Sequence, residues 1–148
     1  MTTQVRTLGD KDFFSWLGLF EGYSEFYKSE LTDEKALQVW SWIIDRNHVL
    51  TGAVAVNDEG DFIGFAHYRE VPNTLGASRG LYLDDLFVVP DSRRSGVGRA
   101  LIEFAKDYAR ENQLSTMAWI TASDNEEAQH LYDDVATRTD WVTYEIEL

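Results

Sequence analysis

The stretch LYLDDLFVVPDSRRSGVGRALIEFAKDYARE, residues 81–111, constrains the architecture of this chain more than any other part of it. Leu81 to Val89 is apolar on both faces except for Asp84 and Asp85, the composition of a central strand covered on both sides. Pro90 ends that strand. A turn carrying Arg93, Arg94, Gly96, Gly98 and Arg99 follows, and from Val97 the residues Val97, Leu101, Phe104, Ala105 and Tyr108 recur at the period of a helix of about four turns. A strand that feeds a helix through such a turn aims free backbone N–H groups and the positive end of the helix dipole at one place. The segment is built to hold a phosphate-rich ligand.

Two nucleotide-binding patterns fail here. A dinucleotide G-x-G-x-x-G needs a third small residue where this chain has Leu101, and no acidic residue ends the next apolar run, Met117 to Thr121. A Walker loop needs Gly-Lys-Ser/Thr, and Gly98-Arg99-Ala100 does not supply it. What remains is Arg93-x-x-Gly96-x-Gly98 after a strand and opening a helix. Glycines there let the backbone approach a pyrophosphate, and the arginines add charge-assisted hydrogen bonds.

The rest of the chain reads as one domain, residues 1–148, of the α/β (α+β) class. A short strand at 4–6 precedes a helix with Asp10 and Asp12 at its start and Phe13, Trp16, Leu17, Phe20, Tyr23 and Tyr27 at helical spacing. Thr32 is a candidate N-cap for a second helix carrying Ala36, Leu37, Val39, Trp40, Ile43 and Ile44. Leu50 to Val56 and Phe62 to Tyr68 form a hairpin through Asn57-Asp58-Glu59-Gly60, and Val71 to Gly80 reads as a loop. Asp124 or Asn125 caps a helix, with Glu127 placed for a capping box. Val142, Tyr144, Ile146 and Leu148 alternate with polar residues, the pattern of a last strand with one buried face.

Composition removes several function classes. The chain has no cysteine, which excludes disulfides, thiolate metal sites and a cysteine nucleophile. His48, His67 and His130 fall on separate elements without ligand spacing, so no metal site is expected and each reads as a surface or internally satisfied histidine. No G-x-S-x-G is present for a serine hydrolase. The 26 acidic residues against 13 Lys plus Arg give a formal charge of −13, which repels nucleic acid and favours a cationic partner, or else serves only solvation. No apolar run approaches a membrane span and no leader-like segment opens the chain, so no membrane association and a cytoplasmic location are expected.

The strand, the R-x-x-G-x-G turn, the helix, the next strand and then NEEAQHLY at Asn125 to Tyr132 together resemble the GNAT superfamily of N-acetyltransferases. YLDDLFV ahead of the turn is most similar to the spermidine/spermine acetyltransferases and related small-amine enzymes. The resemblance implies a central mixed sheet of six to seven strands flanked by about four helices, and direct transfer of an acetyl group from acetyl-CoA to a primary amine of a polyamine, diamine or amino-acid-like compound. A protein-directed enzyme of the same fold, or an acyl-CoA sensor without turnover, are the alternatives. The resemblance also implies a homodimer, which an alternating C-terminal edge strand would suit.

Carried onto this sequence, the pyrophosphate cradle falls on Arg93, Arg94, Ser95, Gly96, Val97, Gly98 and Arg99. The pantetheine arm pairs with the backbone of Leu86, Phe87 and Val88, and Asn125 and Ala128 touch its far side. Tyr132 sits beside the thioester sulfur as the acid for the departing thiolate. Asp84 is the base that takes a proton from the amine, or a carboxylate that only binds the cationic substrate or an arginine; Asp85 is assigned to structure, because successive strand residues face opposite ways unless a bulge intervenes. Phe26 or Tyr27, although core-like by periodicity, would touch substrate. The family's usual glycine four residues after the tyrosine is Ala136 here, which places the acceptor-side loop outside the family pattern.

Overall fold

The computed structural model describes residues 3–148. Its elements in chain order are β1 (Gln4–Thr7), α1 (Phe13–Phe26), α2 (Asp33–Ile44), β2 (Leu50–Val56), β3 (Phe62–Asn73), β4 (Ser78–Val88), α3 (Val97–Glu111), β5 (Met117–Ala118) and α4 (Glu126–Val135). The strands lie in one sheet in the order β1-β2-β3-β4-β5. The first four are antiparallel neighbours and β5 joins β4 in parallel, so the sheet is mixed.

Local chemistry sets most boundaries. The Thr32 hydroxyl accepts a hydrogen bond from the Lys35 N–H at 3.2 Å, and Asp33 and Glu34 occupy the first turn of α2, where acid suits the helix dipole. Between β2 and β3, the Asn57 side chain accepts from the N–H groups of Glu59 at 3.0 Å and Asp61 at 2.9 Å. That closes the hairpin through Asn57's own carbonyl chemistry.

Strand alternation then divides the core into two layers. Ala53, Ala55, Ala66, Tyr68, Leu81 and Leu83 face α3, where Val97, Leu101, Ile102 and Ala105 meet them. Val54, Phe65 and Phe87 face the other way and pack with Trp16 and Leu19 of α1 and Trp40 of α2. Leu101 and Trp16 are each 0% exposed; burying side chains of this size is worth roughly 1.5–3 kcal/mol apiece and pins a helix to each face of the sheet.

Three expectations are corrected. The stretch expected as a loop at Val71 to Gly80 is the tip of the β3–β4 hairpin, with Pro72 paired to Arg79 and Asn73 to Ser78. Beyond Arg69, which pairs with Leu50, β3 has no β2 beside it, and an open strand edge is where proline is tolerated. The strand expected over Met117 to Thr121 is two residues long, since β4 and β5 pair only at Leu81–Met117 and Tyr82–Ala118 before parting.

The C-terminal strand does not form, so among the described residues the sheet has five strands rather than six to seven. Residues 137–148 carry no helix or strand, and Trp141, Tyr144 and Ile146 are 90%, 91% and 83% exposed. Alternation supplies a face, but a strand also needs a neighbour for its ladder, and the chain offers this arm none. No helix among the described residues is long and apolar enough to cross a membrane.

Candidate active site

The parting of β4 from β5 produces the site. After Tyr82, β4 continues to Val88 with its outer edge unpaired toward residues 119–123, leaving backbone donors and acceptors free to bond an extended ligand. A cavity of about 590 Å³ occupies this gap, a size typical of small-molecule sites, which run to roughly 300–1,000 Å³. Its wall is Leu86, Phe87 and Val88 on one side, Arg93, Arg94, Gly96, Val97, Gly98 and Arg99 at one end, and Asn125, Ala128, Leu131 and Tyr132 on the other. All but one of the residues assigned to cofactor binding from the sequence therefore converge. Ser95 is the exception: its side chain bonds the Ser92 carbonyl instead of lining the cavity.

The glycine turn has the shape its spacing implied. Gly96 lies at φ 88° at the N-cap of α3, a left-handed conformation that a side chain would strain. A Cβ on Gly98 would stand 3.0 Å from Leu131 Cδ2 and press on α4. The N–H groups of the first helical turn have no intrahelical partner, and here they open toward the cavity's end. Arg99 pairs with Asp134 at 3.1 Å and Arg94 with Glu127 at 3.7 Å, so two of the cations rest on acids of α4. Arg93 is different. Its Nε donates to the Val88 carbonyl at 2.9 Å, while its guanidinium lies 5.3 Å from the Phe26 ring and 5.7 Å from that of Phe87. Phe26 is thus a wall of this cavity, held there by a cation–π contact.

Of the two residues assigned to catalysis from the sequence, Tyr132 lines this cavity and Asp84 does not. Tyr132 packs edge-on against Trp119 at 5.3 Å, and burial, helped by the neighbouring Tyr27, pushes its phenol up to about 12. It stays protonated at any physiological pH, as a proton donor must. Asn125 sits at the N-cap of α4 without a capping bond, its amide donating to the Thr121 hydroxyl at 3.2 Å, and Glu127 faces Arg94 rather than closing a capping box.

The two carboxylates are not split between faces. β3 and β4 pair at His67–Asp85 and next at Tyr68–Leu83, which leaves Asp84 as the extra residue of a β-bulge. Leu83 and Leu86 both pack toward α3, and Asp84 and Asp85 both turn to the α1 side. Asp84 accepts both its bonds from Arg69 Nε, at 3.1 and 2.9 Å. Burial pushes its carboxyl above the ordinary range despite Arg69, and the charge of Asp85 adds to that rise. Asp85 accepts from the Tyr23 hydroxyl at 2.6 Å and is bonded to His67 Nδ1 at 2.8 Å. Burial alone would raise it too, but His67 and Tyr23 hold it below the usual carboxylate range.

Tyr27 lines the cofactor cavity and also a second one of about 450 Å³ between α1 and α2, with Phe20, Tyr23, Leu31, Val39 and Trp42. Sequence reasoning missed Tyr23, His67 and His130. His130 lies on the cavity wall, two residues beyond Ala128 in the motif. Tyr23 shares the helical stripe of Phe20 and Tyr27, and His67 stands opposite Asp85 once the hairpin register is known.

Comparison with known proteins agrees with this geometry. Residues 16–135 match the acetyltransferase (GNAT) family. The chain is 39% identical over 143 residues to the D-amino-acid N-acetyltransferase HPA3 of Saccharomyces cerevisiae, covering 95% of this chain and 88% of the yeast protein. It is 33% identical over 129 residues to the uncharacterized N-acetyltransferase YhfO of Bacillus subtilis, covering 87% and 85%. Its fold superposes on AAC(6')-Iy in complex with the bisubstrate analog CoA-S-monomethyl-acetylneamine with a TM-score of 0.87 at 21% identity, over 100% of this chain and 99% of that one. A splayed β4–β5 edge, a glycine turn opening α3 and a family match across both make this chain a member of the GNAT acetyltransferase family, an acetyl-CoA-dependent N-acetyltransferase.

Proposed function

We propose that the acceptor is the primary amine of a small molecule, of the polyamine, diamine or amino-acid-like class, and that the protein works as a homodimer. The observation that carries the acceptor assignment is the bulge that turns Asp84 and Asp85 to one face. Two partly exposed carboxylates on one face of the sheet attract an ammonium group and repel anionic acceptors. The yeast relative named as a D-amino-acid N-acetyltransferase supports the amino-acid-like end of the class. Arg69, with a side chain 41% exposed beside Asp84, offers such an acceptor a partner for its own carboxylate.

In this scheme the cradle from Arg93 to Arg99 holds the pyrophosphate, and Leu86 to Val88, Asn125 and Ala128 hold the pantetheine arm. Phe26 and Tyr27 stand between cofactor and acceptor. Asp84, whose raised proton affinity suits a base, takes a proton from the ammonium. The freed amine attacks the thioester carbonyl, the new C–N bond forms as the C–S bond breaks, Tyr132 gives its proton to the leaving sulfur, and the second proton of the acylated nitrogen restores the Tyr132 phenol. The backbone N–H near Leu86 meets the developing oxyanion.

The test has two parts. CoA and acetyl-CoA at 100 times their dissociation constants should stabilise the protein by about 2.7 kcal/mol, read as a thermal shift. A thiol-release screen over D- and L-amino acids, polyamines, aminoglycosides and a lysine peptide should find turnover with a small amine. Turnover with the peptide alone would overturn the small-amine assignment.

A further inference from the structure

We propose that Tyr23 and Asp85 together form the receptor for the acceptor's ammonium group, with His67, fixed in one tautomer by Trp16, as the positioning residue behind them. This rests on the acetyltransferase function above and assigns residues to its acceptor half.

The chain of bonds begins at a group that can only donate. The indole N–H of Trp16 points at His67 Nε2 at 3.0 Å, so Nε2 carries a lone pair and the ring proton sits on Nδ1. That proton faces Asp85 Oδ2 at 2.8 Å. Trp16 and His67 are both 0% exposed, and the rings of Phe65 and Phe20 close over the imidazole at 4.5 and 5.6 Å. No water competes for either nitrogen, and His67 is a fixed donor to the carboxylate.

Asp85 receives a second bond at Oδ1 from the Tyr23 hydroxyl at 2.6 Å. An ionised carboxylate accepts about four hydrogen bonds. Two are thus taken within the protein, and the side chain is still 25% exposed. The Tyr23 proton is committed to Asp85, so its oxygen can only accept from whatever approaches. Burial and the charge of Asp85 push the Tyr23 phenol far up, so the proton stays there.

The partly exposed Asp85 carboxylate thus stands beside an oxygen restricted to accepting. A primary ammonium, with three N–H donors and one charge, matches both; an alcohol or thiol, with one proton and no charge, matches one. The Tyr27 ring meets Tyr23 edge-on at 5.0 Å and adds an aromatic face for a cation. Asp84 is the adjacent residue of the same bulge, and Tyr27 lines both the cavity that holds Tyr23 and the one that holds Tyr132. An amine held by Tyr23 and Asp85 is one residue along the strand from the proposed base.

Two experiments test this. In the first, the histidine ¹⁵N spectrum of the intact protein should show His67 protonated at Nδ1 and bare at Nε2, and titration with benzylammonium should move its Nδ1 resonance. The opposite tautomer, or no response to benzylammonium, overturns the proposal whether or not acetyl transfer occurs. In the second, Asp85→Asn and Tyr23→Phe should each raise KM for the best acceptor in the screen about tenfold or more and leave KM for acetyl-CoA within about twofold. His67→Asn, which keeps a donor near the Nδ1 position, should restore most of the amine affinity lost in His67→Leu. An unchanged amine KM in both Asp85→Asn and Tyr23→Phe overturns the receptor while leaving the acetyltransferase function standing. Benzylammonium binding in a protein that consumes no acetyl-CoA does the reverse. Should Asp85→Asn fail to fold, Tyr23→Phe removes one hydroxyl only and carries the same expectation.

Discussion

Burial tunes Tyr132 and Asp84 in the same direction for the opposite tasks proposed for them. Burial holds the Tyr132 phenol at about 12, so it keeps its proton and remains an acid below that pH. Burial also raises Asp84, which makes it a better base than an exposed aspartate. Tyr132→Phe is therefore expected to keep acetyl-CoA affinity in a thermal shift and lower kcat about 10²–10⁴-fold, the usual scale of positioned proton transfer. The kcat profile should show no fall between pH 8 and 10 from Tyr132 ionisation; a basic limb in that range that vanishes in Tyr132→Phe would overturn the raised phenol, and an unchanged kcat in Tyr132→Phe would remove its acid role. Asp85 works the other way on stability. Its depressed carboxyl contributes stability that is full above the unfolded value of about 3.9 and is lost as pH falls through the folded value. Asp85→Asn should flatten the acid limb of a stability-versus-pH curve measured by urea titration. Tyr132 and Asp84 were legible as candidates because motif spacing marks them, and in the fold Tyr132 lines the cavity while Asp84 pairs with Arg69. The partnership of Asp85 was not, because a bulge is a property of two strands in register and one strand's alternation argues against it.

Among the elements, the turn into α3 joins the proposed cofactor cradle to the proposed acid. Gly98 lets Leu131 of α4 approach within contact distance, and Tyr132 is the next residue. Gly98→Val is expected to displace α4, raise KM for acetyl-CoA and lower kcat together, whereas Gly96→Ala, strained at φ 88°, should cost roughly 1–2 kcal/mol of stability and act mainly on cofactor affinity. Steady-state kinetics with denaturant titration separates the two. This turn was readable from sequence because every step is local: Pro90 ends a strand, glycines open a turn, and a helical period starts at Val97. The hairpin tip at Pro72 and the two-residue β5 were not, because each depends on which neighbour ends where. Helix periodicity likewise placed Phe26 in the core, and only the fold of Arg93 back onto Val88 shows it as a cavity wall.

At the scale of the whole molecule, the arm at residues 137–148 stands apart from an otherwise closed structure. Its apolar face, Val142, Tyr144, Ile146 and Leu148 with Trp141 beside them, is between 76% and 114% exposed, and its backbone is unpaired. Exposed apolar patches of this kind mark interaction surfaces. β5 is the sheet's last strand in the order β1-β2-β3-β4-β5, so the far side of Met117–Ala118 is an open edge. An arm that needs a ladder and an edge that needs a strand occur on the same chain, and two copies can satisfy both reciprocally, as twofold symmetry requires. The net charge of −13 opposes association at long range, so pairing should strengthen with salt as screening shortens that repulsion to about 8 Å at physiological ionic strength. Sedimentation equilibrium is expected to show a dimer that tightens between low and physiological salt. Trp141→Ser with Tyr144→Ser, or removal of residues 138–148, should yield a monomer that still binds CoA, because the cradle and the β4 edge lie wholly within one chain. A truncated protein that remains dimeric would place the interface elsewhere. A wild-type protein that sediments as a monomer at every salt concentration would leave the arm without the second copy proposed for it.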